Sequence, residues 1–113
     1  MKILSKKNAD HYKWGNGNDG WHLLNNPEVS VIEERVSPGE EENYHKHAKS
    51  RQLFYILSGE ALFRLENETG TLKAGDSLHI PPAAAHQIRN NSSEDLRFLV
   101  ISTPHAHGDR ELL

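Results

Sequence analysis

Apolar residues recur along this chain in short stretches that are each closed by turn residues. Residues 28–36 are rich in Val and Ile, residues 60–65 alternate polar and apolar side chains, and residues 96–103 form a further apolar run. Enrichment in β-branched and aromatic residues, bounded by Pro, Gly and Asn, indicates strands. About eight such strands and no convincing amphipathic helix predict an all-β sandwich or barrel.

The two ends of the chain lack this clear pattern. Residues 8–27 are rich in Asn and Gly, which predicts loop with short extended pieces. Residues 104–113, PHAHGDRELL, are expected to run over the surface as a tail. His105 and His107 lie in this polar tail, and we interpret them as surface residues. A length of 113 residues predicts one domain covering residues 1–113.

The overall charge of the chain disfavours polyanionic binding partners. A formal net charge of −3 and an isoelectric point near 6.2 argue against nucleic acid or an anionic membrane as the main partner. The N-terminal residues carry positive charge without an apolar core, and no apolar run is long enough to span a bilayer. We therefore expect a cytoplasmic protein. The absence of cysteine excludes a thiolate metal site, whereas eight histidines direct attention to imidazole ligands.

Three histidines and a glutamine are placed so that they can meet. In a strand, residues i and i+2 point to the same face, so His45 and His47 project together. Gln52 can join them if the chain turns back over residues 48–51. His86 follows the rigid Pro81-Pro82 pair on another predicted strand. Imidazoles suit divalent transition metals, so this set predicts a metal site.

These residues carry a resemblance to the cupin superfamily of small β-barrels. The first cupin motif places two histidines and usually a glutamate between two glycines. The chain resembles this motif at Gly39, His45, His47, Gln52 and Gly59. The second motif resembles Gly75, Pro81, Ala83, His86 and Asn90, with alanine where glycine is usual. The resemblance implies a double-stranded β-helix, or jelly-roll barrel, that binds one divalent metal ion such as Zn, Ni, Fe, Mn or Co. It implies that the ligands are His45, His47, Gln52 and His86. It also implies a homodimer in which N-terminal strands cover the partner's sheet edge.

Gln52 is the main departure from the cupin pattern. A neutral amide leaves the full charge on a divalent ion and removes the carboxylate that many non-haem iron oxygenases use. Cupins with glutamine at this position include isomerases and proteins that act on uronate sugars. We therefore expect an enzyme with isomerase or lyase-like, non-redox chemistry on a small sugar-like or carboxylated metabolite. A non-catalytic, metal-dependent binding protein and a cupin dioxygenase remain alternatives, and Gln52 could also be a hydrogen-bonding neighbour of a three-histidine site.

Several further residues are candidates for the substrate pocket. Phe54 has the parity of Gln52 in its predicted strand and is expected to face the barrel interior. Tyr44, His79 and Trp21 are additional pocket candidates, although each is also compatible with ordinary packing. Trp21 is equally compatible with a dimer interface. No inward carboxylate stands out beside the ligands as a general base, and Tyr44, His79 and Glu34 are named for that role without a pattern that selects them.

Overall fold

A computed structural model describes residues 1–113 and contains eleven β-strands and no helix, which confirms the all-β prediction. None of its elements is a helix of the length and apolarity needed to cross a membrane. In chain order the strands are β1 Asp10–Trp14, β2 Asn18–Asn25, β3 Ser30–Val36, β4 His45–His47, β5 Arg51–Ser58, β6 Glu60–Leu65, β7 Glu68–Lys73, β8 Ser77–Ile80, β9 His86–Arg89, β10 Leu96–Thr103 and β11 Arg110–Leu112.

The strands form two antiparallel sheets that face each other. The larger sheet has the order β1-β2-β3-β10-β5-β8, and the smaller sheet has the order β11-β4-β9-β6-β7. Neighbours in the sheets are mostly distant in sequence, as β10 lies between β3 and β5. This arrangement places β4 and β9 of the smaller sheet opposite β5 and β10 of the larger one, so that side chains from both sheets point into one interior.

The alternation of residues within the strands decides which side chains enter that interior. Along β5 the buried residues Gln52, Phe54 and Ile56 alternate with exposed ones. Along β10 the even-numbered residues from Leu96 to Ser102 are buried. One half of the interior is a hydrophobic core in which Phe54 packs on Phe63 and Phe98, with ring centroids 4.9 and 5.5 Å apart. The other half is lined by polar side chains.

The structure differs from the sequence-based expectation at both ends of the chain. The region expected to be mainly loop forms β1 and β2, which pair as a hairpin at the edge of the larger sheet. The ring of Tyr12 lies directly over Gly20, where any Cβ would overlap it. The region expected to be a surface tail contains β11, which pairs with β4. Backbone pairing, rather than an apolar sequence pattern, holds β11 in place, because all three of its residues are exposed.

Candidate metal centre

Three imidazoles converge at the polar end of the barrel interior. His45 and His47 point inward from the same face of β4, and His45 pairs across the sheet with His86, the first residue of β9. All three side chains are buried, and one ring nitrogen of each lies within 4.8 Å of the others. The ring centroids of His45 and His86 are 4.3 Å apart. Two strands of the smaller sheet therefore build a three-nitrogen cluster.

Backbone carbonyl groups fix the orientation of each imidazole. The Nδ1–H groups of His45, His47 and His86 donate to the carbonyl oxygens of Asn43, Asp109 and Ala84 at 2.7, 3.2 and 3.0 Å. A proton on Nδ1 leaves Nε2 with a free lone pair, which is the form that binds a metal. His86 Nε2 is buried and has no hydrogen-bond partner in the protein. Each of the three imidazoles can therefore accept a hydrogen bond or bind a metal ion through Nε2.

Burial keeps these imidazoles neutral. Desolvation lowers the pKa of His45 to about 3 and that of His86 to about 4, and it also lowers the pKa of His47. Near neutral pH none of the three carries a proton on both nitrogens. A cation therefore does not have to displace protons from them, and the electrostatic repulsion that three imidazolium groups would exert is absent.

Gln52 presents a second orphaned acceptor. Its amide Nε2 donates to the hydroxyl of Ser102 at 3.0 Å across the β5–β10 pair, and its Oε1 is buried without a partner. An unpaired buried carbonyl oxygen costs free energy unless a donor or a cation satisfies it. Gln52 lines the same cavity as His45 and His47. Three imidazole nitrogens and one amide oxygen are a donor set that fits a divalent transition metal.

The cluster opens into a cavity of about 570 Å³ that runs between the two sheets. Its walls carry Ile32, Phe54 and Val100 as apolar surface, together with two acidic side chains, Glu34 and Glu42. The remaining polar walls are formed by the side chains of Tyr12, His22, Asn25, Ser30, Ser102 and Arg110 and by residues 105–108. A volume of this size accommodates a small metabolite.

The structure brings some of the proposed pocket residues together and separates others. Phe54 lines the cavity, and its ring lies 6.0 Å from that of His86. Tyr44 lies beneath the guanidinium of Arg64, which is 4.0 Å from the centre of the ring. Trp21 stacks on His11 at 5.3 Å. Neither Tyr44 nor Trp21 lines the cavity, and His79 is exposed.

The C-terminal segment, expected at the surface, closes part of the cavity instead. His105 and His107 line its wall. Asp109 holds this segment in place, because its carboxylate accepts hydrogen bonds from the backbone N–H groups of Ala48, Lys49 and Ser50 at 3.1, 2.9 and 2.9 Å. Residues 48–50 form the turn that carries the chain from β4 in the smaller sheet to β5 in the larger sheet. Asp109 thereby connects the C-terminal segment, the turn and the ring of His47.

Sequence reasoning missed several residues that the cavity brings together. Ser102 shares the inward parity of Val100, which would have indicated its direction had the sheet order been known. Glu42 sits in a run of three acidic residues, a pattern that is typical of a solvated loop, and only its position relative to β9 reveals that it faces inward. Arg110 has no pattern of its own, because it enters the cavity wall through the pairing of β11 with β4.

Comparison with known proteins identifies the family of the chain. A family model described as "Cupin domain" matches residues 32–102, so the chain belongs to this cupin family. The chain is 39% identical over 85 residues to an uncharacterized protein of Methanocaldococcus jannaschii, covering 74% of this chain and 68% of that protein. It is 33% identical over 67 residues to an oxalate-binding protein of Thermotoga maritima, covering 59% of this chain and 55% of that protein.

A solved structure supports the architecture. The crystal structure of a predicted oxalate decarboxylase from Thermotoga maritima superimposes with a TM-score of 0.84 at 23% identity, covering 92% of this chain and all of that one (100%). At this level of identity the likeness shows the fold alone. Together with the two antiparallel sheets, it confirms the double-stranded β-helix that the sequence motifs imply.

Proposed function

We propose that the protein is a metal-dependent enzyme that carries out non-redox, isomerase or lyase-like chemistry on a small sugar-like or carboxylated metabolite. The observation that carries this proposal is the convergence of three neutral imidazoles at one end of a 570 Å³ cavity, with the orphaned oxygen of Gln52 in the same wall. One core runs through the two sheets, so we treat residues 1–113 as one working domain.

His45, His47 and His86 would hold the ion through Nε2, and Gln52 would hold it through Oε1. These ligands are compatible with Zn, Ni, Fe, Mn or Co. A divalent ion bound there would act as a Lewis acid that polarises a carbonyl or hydroxyl oxygen. Because all four ligands are neutral, they would leave its full positive charge available. This favours ligands that bring negative charge or electron-rich oxygens.

The walls of the cavity support an oxygen-rich ligand. Arg110 supplies a positive charge, and Asn25, Ser30 and Tyr12 supply neutral hydrogen-bonding groups. Phe54 and Ile32 provide apolar surface for the carbon skeleton. The name of the relative from Thermotoga maritima, an oxalate-binding protein, concerns a small dicarboxylate. It supports a carboxylated metabolite as the ligand class.

The second candidate function is metal-dependent binding without turnover. The relative described as an oxalate-binding protein favours it. Both candidates use the same metal and the same cavity, so binding measurements alone do not separate them. Only conversion of the bound ligand does.

The test is a turnover assay on protein of measured metal content. Aliquots loaded with zinc, manganese or iron would be incubated with a panel of hydroxy acids, keto acids, uronates and sugar phosphates, and products followed by NMR with oxygen consumption recorded in parallel. Conversion without oxygen consumption is expected. Ligand binding without conversion across the panel would favour the binding protein, and oxygen consumption dependent on substrate would favour a dioxygenase.

We also propose that the protein is a homodimer formed through the larger sheet. The outer face of β5 exposes Leu53, Tyr55 and Leu57, each more than a third accessible. Leu53 and Tyr55 pair with Ile101 and Leu99 of β10, which widens this apolar row. In a twofold dimer the same surface of both copies forms the interface. The apolar row of one copy would therefore pack on the apolar row of the other, and both rows would be buried.

A further inference from the structure

Two acidic side chains in the cavity have no partner of opposite charge. Glu34 enters from β3 of the larger sheet, and Glu42 enters from the segment that precedes β4. Neither carboxyl group forms an ion pair, although other acidic residues do so at the surface. Arg110 lines the same cavity, but it makes no salt bridge to either of them. The pair is therefore unlike the paired carboxylates elsewhere in the chain.

Glu34 is held in place by a neighbouring phenol. The hydroxyl of Tyr12 donates to Glu34 Oε1 at 3.2 Å. Tyr12 reaches Glu34 across β2, because Gly20 has no side chain to obstruct the ring. The ring of Tyr12 also lies 5.1 Å from that of His22, whose buried Nδ1 has no partner. This corner of the cavity is therefore constructed so that a carboxyl group points inward.

Glu42 is held by the opposite sheet. Its carboxyl Oε1 accepts from the backbone N–H of Ile88 at 3.2 Å, and its own backbone N–H donates to the carbonyl of Ile88 at 3.1 Å. The side-chain amide of Gln87 donates to the backbone carbonyl of Glu42 at 2.9 Å. Gln87 and Ile88 belong to β9, the strand that begins with His86. Glu34 and Glu42 are thus anchored on different sheets and line one cavity beside the imidazoles.

The surroundings raise the pKa values of both carboxyl groups toward neutral pH. Burial raises the pKa of Glu34 to about 7, against smaller opposing effects of Tyr12 and Arg110. Burial, and then the negative charge of Glu34, raises the pKa of Glu42 to about 8, which Arg110 partly offsets. When two carboxyl groups interact in this way, one is ionised while the other retains its proton. A proton acceptor and a proton donor then coexist at one pH, as acid–base catalysis requires.

We propose that Glu34 and Glu42 are the proton acceptor and proton donor of this cavity and act on the two sides of a bound α-hydroxycarbonyl compound. This inference rests on the proposed non-redox enzyme function and specifies its reacting groups. In the forward step the ionised carboxylate takes a proton from the carbon next to the carbonyl group. The C–H electron pair forms a C=C bond, and the carbonyl π pair moves to oxygen, which accepts the proton of the other carboxyl group. The product is an enediol, no electrons leave the ligand, and the total charge of the two glutamates is unchanged.

The first test is the titration of the two carboxyl groups in the metal-free protein. Protein labelled with ¹³C at the glutamate carboxyl would be titrated by NMR as wild type, Glu34→Gln and Glu42→Gln. We expect two signals that titrate above the ordinary glutamate pKa of about 4.3. Loss of the Glu34 signal in Glu34→Gln should be accompanied by a lower midpoint for Glu42, because the neighbouring negative charge is removed. Two ordinary, independent titrations would overturn the proposal.

The second test follows proton transfer itself, with dihydroxyacetone as the probe. Zinc-loaded protein in D₂O should exchange the C–H protons of dihydroxyacetone for deuterium faster than zinc alone. The exchange rate should fall by about 10² or more in Glu34→Gln and in Glu42→Gln, while zinc content is retained. The matched controls are Glu33→Gln, whose side chain pairs with Lys6, and Glu41→Gln, whose side chain pairs with Arg89. Both controls should exchange at the wild-type rate.

The outcomes separate this inference from the proposed function. Exchange by the wild type that persists within about twofold in both glutamine variants would overturn the role of the carboxyl pair and leave the enzyme function standing. Dihydroxyacetone that binds to the wild type without any exchange would overturn both and favour the binding protein. Loss of exchange in the two variants but not in the two controls would support the pair.

Discussion

The amide nitrogen of Gln52 donates to the hydroxyl oxygen of Ser102 over 3.0 Å, and both side chains are buried on neighbouring strands of the larger sheet. Because the amide nitrogen of Gln52 donates to this hydroxyl, its amide oxygen is the side-chain atom left without a hydrogen-bond partner. Ser102 therefore determines which end of the amide faces a ligand. An amide without this partner could rotate and present its N–H₂ group, which cannot coordinate a cation.

Ser102→Ala should accordingly weaken zinc binding. Loss of a hydrogen-bonding partner of a metal ligand typically costs about 10- to 100-fold in affinity, and we expect the lower end of that range. Ser102→Thr retains the hydroxyl and should remain near the wild-type affinity, and Ser77→Ala, at an exposed position of β8, serves as the control. Competition against a zinc chelator measures all three. If Gln52→Ala weakens binding while Ser102→Ala does not, Ser102 has no orienting role.

Gln52→Glu should bind zinc more tightly than the wild type. The substitution adds a negative charge beside three neutral imidazoles, and its attraction for a divalent ion should raise affinity at neutral pH by roughly one to two orders of magnitude. Turnover by Lewis-acid chemistry should fall, because the added charge reduces the polarising power of the ion. The same chelator competition gives the affinity. Weaker binding by a folded Gln52→Glu protein would show that Gln52 is not a ligand.

His47→Ala should abolish stable zinc binding but leave a folded barrel. We expect less than roughly 0.1 zinc per chain after loading, because one of the three imidazoles is lost. Zinc at about 100 times its dissociation constant stabilises a protein by about 2.7 kcal/mol, so it should raise the Tm of the wild type but not that of His47→Ala. His79→Ala on the outside of β8 is the control and should behave as the wild type. Unchanged zinc content in His47→Ala would remove His47 from the site.

The sequence was sufficient to predict the strands that carry strong alternation and the residues that share a face within one strand. His45 and His47 were placed together because period-2 geometry is local. The pairing of His86 with His45, in contrast, depends on sheet order, which the resemblance to cupin motifs supplies and the periodicity of a single strand does not. Gln52 required the same help, since residues 48–50 had to turn the chain back.

Glu42 and the C-terminal segment could not be predicted in this way. Glu34 is a candidate base in the sequence and shares the parity of Ile32 in a predicted strand, whereas Glu42 lies in an acidic run in which nothing local distinguishes an inward carboxylate from a solvated one. β11 has no buried side chain and is held by backbone pairing with β4 and by the hydrogen bonds of Asp109. Long-range contacts of this kind leave no periodic signal in a single sequence.

Leu53→Glu should convert the proposed dimer into a monomer. A carboxylate within the apolar row on β5 would be buried without a partner in the interface, which is costly. Light scattering coupled to size exclusion should then give the chain mass of 12.8 kDa for the variant and twice that for the wild type. Thr69→Glu, at an exposed position of β7, is the control and should remain dimeric. A wild type of single-chain mass would contradict the proposed interface.

Stability of the metal-free protein should decline on both sides of a plateau in pH. Glu34 and Glu42 have pKa values raised from 4.5 to about 7 and about 8, so the stability they contribute is present below 4.5 and is lost as the pH rises through those values. His45 and His86 have pKa values lowered from 6.5 to about 3 and about 4, and burial also lowers the pKa of His47, so the contribution of the three imidazoles is present above 6.5 and is lost as the pH falls through their lowered pKa values. Between 4.5 and 6.5 the two trends oppose each other.

Calorimetry in the presence of a chelator checks this profile. The Tm should be nearly level from about pH 4.5 to 6.5, should fall from 6.5 to 8 as the carboxyl groups ionise, and should fall again below 4.5 as the imidazoles gain protons. Glu34→Gln and Glu42→Gln cannot ionise, so each should reduce the alkaline decline without changing the acidic one. Glu33→Gln, next to Glu34 but on the outer face, should keep the wild-type shape. A wild-type Tm that rises between pH 6.5 and 8 would show that the two carboxyl groups are already ionised in the folded protein.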